Sequence, residues 1–197
     1  MTYRLYNADV LNRYAKDCHQ RAVDKGFWDD LYSVMHYLML VVSELSEAVE
    51  ADRKGKWAKL DHDTIDTLQR IEGESFVQMF LDEVKDTVED EFSDTCIRLL
   101  DLLGYLLNGR RIDGLDLIAL SVYEDVNPPK MITEASLRIV SKLCDGFFMG
   151  KYSKHTIFSA LKSLEQLCDH LGIDLMAHID LKLKYNETRP ALHGKKY

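Results

Sequence analysis

"VVSELSEAVEADRKGKW", residues 41–57, decides the fold, because it is a helical run that sets carboxylates among apolar neighbours. On a helical wheel Leu31, Val34, Leu38, Val41, Val42, Leu45 and Val49 fall on one stripe, the core-facing side of an amphipathic helix. Glu44 and Glu47 lie off that stripe. Three residues apart, they share a face with Leu40, which a purely solvated face has no use for. The helix is therefore expected to be enclosed on more than one side. An isolated Glu-x-x-Glu is usually charged surface, so a chemical role requires a second acidic helix.

"LDEVKDTVEDEFSDTCIRLLDLLGYLL" (81–107) is that helix, acidic at its start and apolar at its end, and its Glu91 and Asp94 repeat the spacing. Antiparallel packing of the two helices across a loop over 55–75 would bring Glu44, Glu47, Glu91 and Asp94 together. Converging anions raise one another's pKa and need cations among them. Hard oxygen ligands suit Mg²⁺, with Mn²⁺ as the alternative, and both ions bridge substrate phosphates. The expected chemistry is metal-dependent work on phosphates. The Glu-x-x-His pairs of a diiron bundle are absent, and the histidines show no ligand spacing, although His19 and His36 could line a pocket.

The rest of the chain reads as helix too. Its 197 residues hold three prolines and almost no alternating β-branched runs, so the expectation is one all-α domain, an antiparallel helical bundle. Apolar recurrence places helices at 5–24, 31–54, 76–108, 113–124, 133–150, 153–171 and 173–187, with 58–74 a loop or short helix and 188–197 a tail. Pro128-Pro129 and the N-cap candidate Thr133 separate two halves. No run approaches the ~18 apolar residues of a membrane span. The N-terminus lacks the basic and apolar blocks of a secretory signal, which makes a cytoplasmic protein the expectation. A net charge of −8 argues against nucleic acid as partner, while small phosphate ligands stay compatible through a metal ion. Four scattered cysteines without a Cys-x-x-Cys pair read as small buried apolar residues.

One internal echo bears on organisation. "VSELSEAVEADRKGKW" (42–57) aligns with "VSKLCDGFFMGKY" (140–152), and "CIRLLDLLG" (96–104) has a rough counterpart in "LEQLCDHLG" (164–172). The order suggests a degenerate duplication, with residues 1–126 as the half bearing the acidic site and 130–187 as its copy. Lys142, Asp145, Ser159 and Lys162 then stand near the places of Glu44, Glu47, Glu91 and Asp94, leaving the copy without a metal site.

Glu44-x-x-Glu47 followed by Glu91-x-x-Asp94 resembles the MazG-like branch of the all-α nucleoside triphosphate pyrophosphohydrolases, relatives of the dimeric dUTPases and phosphoribosyl-ATP pyrophosphohydrolases. The ending "LGIDLMAHIDLKLKYNETRPALHGKKY" and "KGFWDD" (25–30) are similar to further elements of that group. Two departures stand out. Ser43 replaces the first of a usual glutamate pair, for which Glu50 or Asp90 could compensate, and 43 residues separate Glu47 from Glu91, more than in compact members. The resemblance implies hydrolysis of a (d)NTP to monophosphate and pyrophosphate, with Glu44, Glu47, Glu91 and Asp94 holding Mg²⁺ and Glu47 the first choice to take the water's proton. Lys25, Arg53, Lys54, Arg189, Lys195 and Lys196 are candidates for the phosphates, Trp28 for stacking on a base and Asn186 for the sugar or base. The duplication would make the chain a monomeric pseudo-dimer, with a homodimer as the alternative. The alternatives are a dUTPase-like specificity and a helical binding protein without activity.

Overall fold

The computed structural model describes residues 5, 7–114, 116, 129–148, 154–194 and 196, and the regular elements among them are all helical. They are α1 (Ala8–Asp24), α2 (Val34–Arg53), α3 (His62–Arg70), α4 (Gly73–Glu83), α5 (Val88–Leu107), α6 (Ile132–Phe148), α7 (Lys154–Leu171) and α8 (Leu175–Thr188), followed by a 3₁₀ turn over Ala191–Gly194. The helix expected over 113–124 falls almost wholly outside the described residues, as does the Gly150-Lys151-Tyr152 end of the internal echo.

Helix starts follow side-chain caps. Asn7 accepts from the amides of Asp9 and Val10 at the head of α1, Asp61 from Thr64 before α3, and Asp174 from Ala177 before α8. One expectation needs correcting: the helix read over 76–108 is two helices. α4 ends at Glu83, Asp86 takes a left-handed φ of 60°, and Thr87 starts α5. The Thr87 hydroxyl donates to the Val84 carbonyl at 2.7 Å and accepts from the Asp90 amide at 3.3 Å. Val84 and Val88 are both buried, so the apolar spacing runs straight through the break and conceals it.

α5 is the axis of the molecule, buried along much of its length from Val88 to Leu107. α2 packs on it antiparallel: the Val88 amide donates to the Lys56 carbonyl at 3.0 Å at one end, and at the other Trp28 stacks on both Tyr37 of α2 and Tyr105 of α5. α1 lies along α5 as well, its Asn12 side chain exchanging two hydrogen bonds with the Ile112 backbone. α6 and α7 pack on each other, α6 also on α2 and α7 also on α5, and the main core runs through all of these helices. No described helix is long and apolar enough to cross a membrane.

α8 crosses α5 and joins α3 and α4 to the bundle through a second, smaller core of Leu68, Phe76, Phe80, Val84 and Leu181. Lys184 seals it. Its ammonium donates to the carbonyls of Leu68, Gln69 and Ile71 at 3.0, 2.9 and 2.6 Å, which closes the C-terminal end of α3, and it sits 4.4 Å from the Phe76 ring centre. Lys184→Met keeps the apolar stem and removes the donors. It is expected to cost ~1–2 kcal/mol and to speed amide exchange over residues 62–71 while α5 stays protected. Unchanged exchange there would show that Lys184 does not hold α3.

Candidate active site

The first two turns of α5 bury an unusual amount of charge: Glu89, Asp90 and Glu91 are all within 3% of full burial. Each has a different local reason. Glu89 accepts the amides of Ala58 at 2.9 Å and Lys59 at 3.1 Å, so it anchors the loop after α2. Asp90 accepts the Asp86 amide at 3.0 Å and meets the Lys182 ammonium of α8 at 2.6 Å. Glu91 faces α2, one turn before Asp94.

Across from it stands Glu44, 3% exposed, and ligand oxygens of Glu44, Glu91 and Asp94 all lie within 4.8 Å of one another. Glu47 does not join them. It is exposed, and among the described residues it receives only the Ser43 hydroxyl, at 3.3 Å. The four-carboxylate convergence expected from the sequence is therefore corrected to three, because residues three apart on a helix point about 60° apart. That angle suffices here to put Glu44 inside and Glu47 outside.

Burial and the charges of Asp90 and Asp94 push the Glu91 carboxyl up to about 8. Burial also raises Glu44, against the pull of the Arg98 guanidinium, whose Nε lies 2.5 Å from its Oε1. Burial would raise Asp94 too, but Lys182, 2.7 Å away, outweighs it and holds that carboxyl below the usual range. Lys182 itself is 1% exposed. Burial works against its charge, yet Asp94 and Asp90 hold it above the ordinary lysine range.

Three oxygens from two helices at this spacing fit a hard divalent cation, and Glu91, which no cationic side chain contacts among the described residues, is the group such an ion would relieve. Asp86, Asp90 and Glu91 form a second close group, whose Asp86 and Asp90 are met by Lys85 and Lys182. Arg98 and Lys182 are absent from the residues singled out in the sequence, and Asp86, on the acidic face of the same stretch, is not counted in the expected site. Arg98 sits four residues after Asp94 and reads as an ordinary surface pair. Lys182 lies 92 residues from Asp90, inside "LKLKYNE", where lysines look solvated.

Beside the carboxylates a cavity of about 460 Å³ opens between α1, α2, α5 and α8. Asp94, Arg98 and Asp101 form its inner wall; Tyr32, His36 and Leu40 lie on α2 and the turn before it; Lys25, Asn186, Arg189 and His193 close it from α1 and the C-terminal segment. That segment is not a loose tail over its described part. The Leu192 amide donates to the Lys25 carbonyl at 2.8 Å, and the Lys25 ammonium donates to the carbonyls of Glu187, at 3.1 Å, and Arg189. Arg189 in turn donates to the His193 carbonyl at 3.1 Å, and the Asn186 Oδ1 is buried with no partner among the described residues.

The other sequence candidates fall elsewhere. Trp28 is corrected: its ring stacks on Tyr37 and Tyr105 at 4.3 and 4.5 Å between ring centres and its indole N–H donates to Asp101 at 3.0 Å, so both its stacking and its donor are spent inside the protein. His19 holds the same Asp101 oxygen at 2.8 Å from behind the cavity wall. Arg53 and Lys54 are exposed and pair with Glu50, at 3.0 and 3.2 Å, away from the cavity, which also removes Glu50 as a substitute ligand. Asp90, the other substitute, is held by Lys182. Lys196 is exposed, and Lys195 lies outside the described residues.

An acidic face beside a pocket with arginine, amide and aromatic walls suits a ligand with a polyanionic end, met through a cation, and a flat polar end. Compared with known proteins, the chain matches no family model, no curated protein and no solved structure.

Proposed function

We propose that the chain hydrolyses (deoxy)nucleoside triphosphates to the monophosphate and pyrophosphate with Mg²⁺ at Glu44, Glu91 and Asp94. The observation that carries the reading is that Asp94 belongs both to the carboxylate trio and to the wall of the 460 Å³ cavity, so metal and ligand would meet there. Bound Mg²⁺ would neutralise phosphate oxygens and acidify a water. The chain's own groups do the rest. Arg98, with its Nε on Glu44, offers its remaining N–H groups to the phosphates. Arg189 adds charge at the far side, and the unpartnered Asn186 Oδ1 accepts from an N–H or O–H of the base or sugar. Glu47, exposed one turn beyond Glu44 and with no cation in contact among the described residues, is the carboxylate assigned to the water's proton, which it would take from the solvent side of the trio.

The second half would be an inactive copy. Lys142 and Lys162 stand where Glu44 and Asp94 stand in the first half, Lys142 donating to the Ser163 hydroxyl at 2.6 Å. The pairing of α2 with α5 and of α6 with α7 supports that reading.

The test is product analysis on a panel of canonical and damaged (d)NTPs with Mg²⁺, with EDTA as control. Equimolar monophosphate and pyrophosphate, lost in EDTA and cut at least ~100-fold by Glu47→Gln, is the expected outcome. Diphosphate and inorganic phosphate would exclude the reading, and turnover of dUTP alone would mark a dUTPase-like specificity. A second reading, a nucleotide-binding helical protein without catalysis, is favoured by one fact: Arg98 and Lys182 already neutralise carboxylates of the site. Nucleotide binding with no pyrophosphate from any substrate would select it.

A further inference from the structure

Two acidic groups share Glu91. Glu44, Glu91 and Asp94 face the cavity through Asp94; Asp86, Asp90 and Glu91 lie at the start of α5, and Asp90 is fully enclosed. An ammonium group ties the two together, placed like a ligand-bridging ion between Asp90 of the second group and Asp94 of the first. The Lys182 Nζ lies 2.6 Å from Asp90 and 2.7 Å from Asp94, with its side chain 1% exposed, and Lys85 approaches the other Asp90 oxygen at 3.6 Å. The Asp90 oxygens accept from Lys182 and from the Asp86 amide, so a metal ion could reach Asp90 only by displacing protein donors. Lys182 reaches the site from α8 beside the smaller core, its ammonium 5.9 Å from the centre of the Phe80 ring.

We propose that Lys182 is a resident cation occupying the second cation position of this cluster, so that the chain takes up one divalent ion, at Glu44, Glu91 and Asp94, where a cluster without the lysine would take two. The inference rests on the metal reading above for the first ion only. The lysine bridges α5 and α8 permanently, letting the fold close around Asp90 and Asp94 before any metal arrives. It is a positioning residue, since no ligand reaches it from the cavity.

The experiment is calorimetric titration of the full chain with Mn²⁺, without nucleotide, beside thermal melts of the same samples. The wild type is expected to bind one ion per chain. Lys182→Ala, which leaves room for an ion and its waters, is expected to melt roughly 10 °C lower without metal, to recover with Mn²⁺, and to bind a second equivalent. If Lys182→Ala must be refolded in Mn²⁺ to be obtained, Lys182→Ala with Asp90→Asn serves in its place. That pair removes both charges, so it is expected to fold without metal and to bind one ion. Two ions on the wild type overturn the inference while leaving the metal reading intact, and so does a single ion on Lys182→Ala with no metal-dependent recovery. No ion on any of the proteins overturns the metal reading and this inference together.

Discussion

Glu91→Gln is expected to make the metal-free protein more stable and to abolish metal-dependent activity. The substitution preserves shape but removes a carboxyl that sits buried against Asp90 and Asp94 with no cation in contact among the described residues. In the unfolded chain a glutamate loses its proton near 4.5, whereas burial and its two acidic neighbours push Glu91 up to about 8 in the fold. Between those values the native state holds the extra proton. Stability of the metal-free wild type therefore falls as pH rises through that window, by at most about 1.4 kcal/mol per pH unit from this residue, and is fully spared below it. Glu44, also raised by burial, adds a slope of the same sign, while Asp94, held low, acts oppositely and costs stability only as pH drops through the acid range. Melting curves from pH 5 to 8.5 should show the wild type losing ground to Glu91→Gln, the gap closing on addition of Mg²⁺. Pyrophosphate release should fall at least ~100-fold, since even groups that merely orient metal ligands cost 10- to 100-fold when lost. A variant less stable than the wild type at pH 8 without metal would show that Glu91 is paired in a way the geometry does not give it.

Gly104→Ala should be the most damaging alanine substitution among the described glycines. A Cβ at Gly104 would lie 2.3 Å from the Ala15 carbonyl oxygen and 2.6 Å from the His19 Cβ. Neither neighbour is the end of a flexible side chain, so α1 would have to leave α5. Alanine's better helix propensity returns under ~1 kcal/mol, and the overpacking outweighs it. A net loss of roughly 2–4 kcal/mol is expected, a Tm drop of roughly 5–15 °C for a domain of this size. Because His19 and Trp28 both hang on Asp101, displacing α1 also shifts the inner cavity wall. Nucleotide affinity should fall with stability. An unchanged Tm would mean that α1 and α5 do not approach as closely as Gly104 permits.

How much of this was legible in the sequence differs residue by residue. Apolar spacing gave the helices, since burial along α2 and α5 follows the three-and-four pattern. It failed at Asp86-Thr87, where Val84 and Val88 continue the period across a real break; the cap signal Thr87-x-x-Asp90 was there to be read. The acidic partners Glu44, Glu91 and Asp94 could be picked from spacing within two helices. Spacing does not report which member of an i, i+3 pair points inward, and so Glu47 was grouped with them. Lys182 was out of reach, because pairing it with Asp90 requires knowing that α8 crosses the start of α5. Trp28 illustrates a different limit: an aromatic can be recognised as a stacking residue, but Tyr37 and Tyr105 become its partners only once α2 and α5 lie antiparallel.

The most direct measurement of the central claim is a crystal soaked with Mn²⁺ and a triphosphate non-hydrolysable at its α,β bond, with anomalous difference density used to place the ion. One manganese among the oxygens of Glu44, Glu91 and Asp94, with the triphosphate running from it past Arg98 into the cavity that Asn186 and Arg189 line, is the predicted result. Manganese bound elsewhere, or a nucleotide seated away from Asp94 and Arg98, would contradict it.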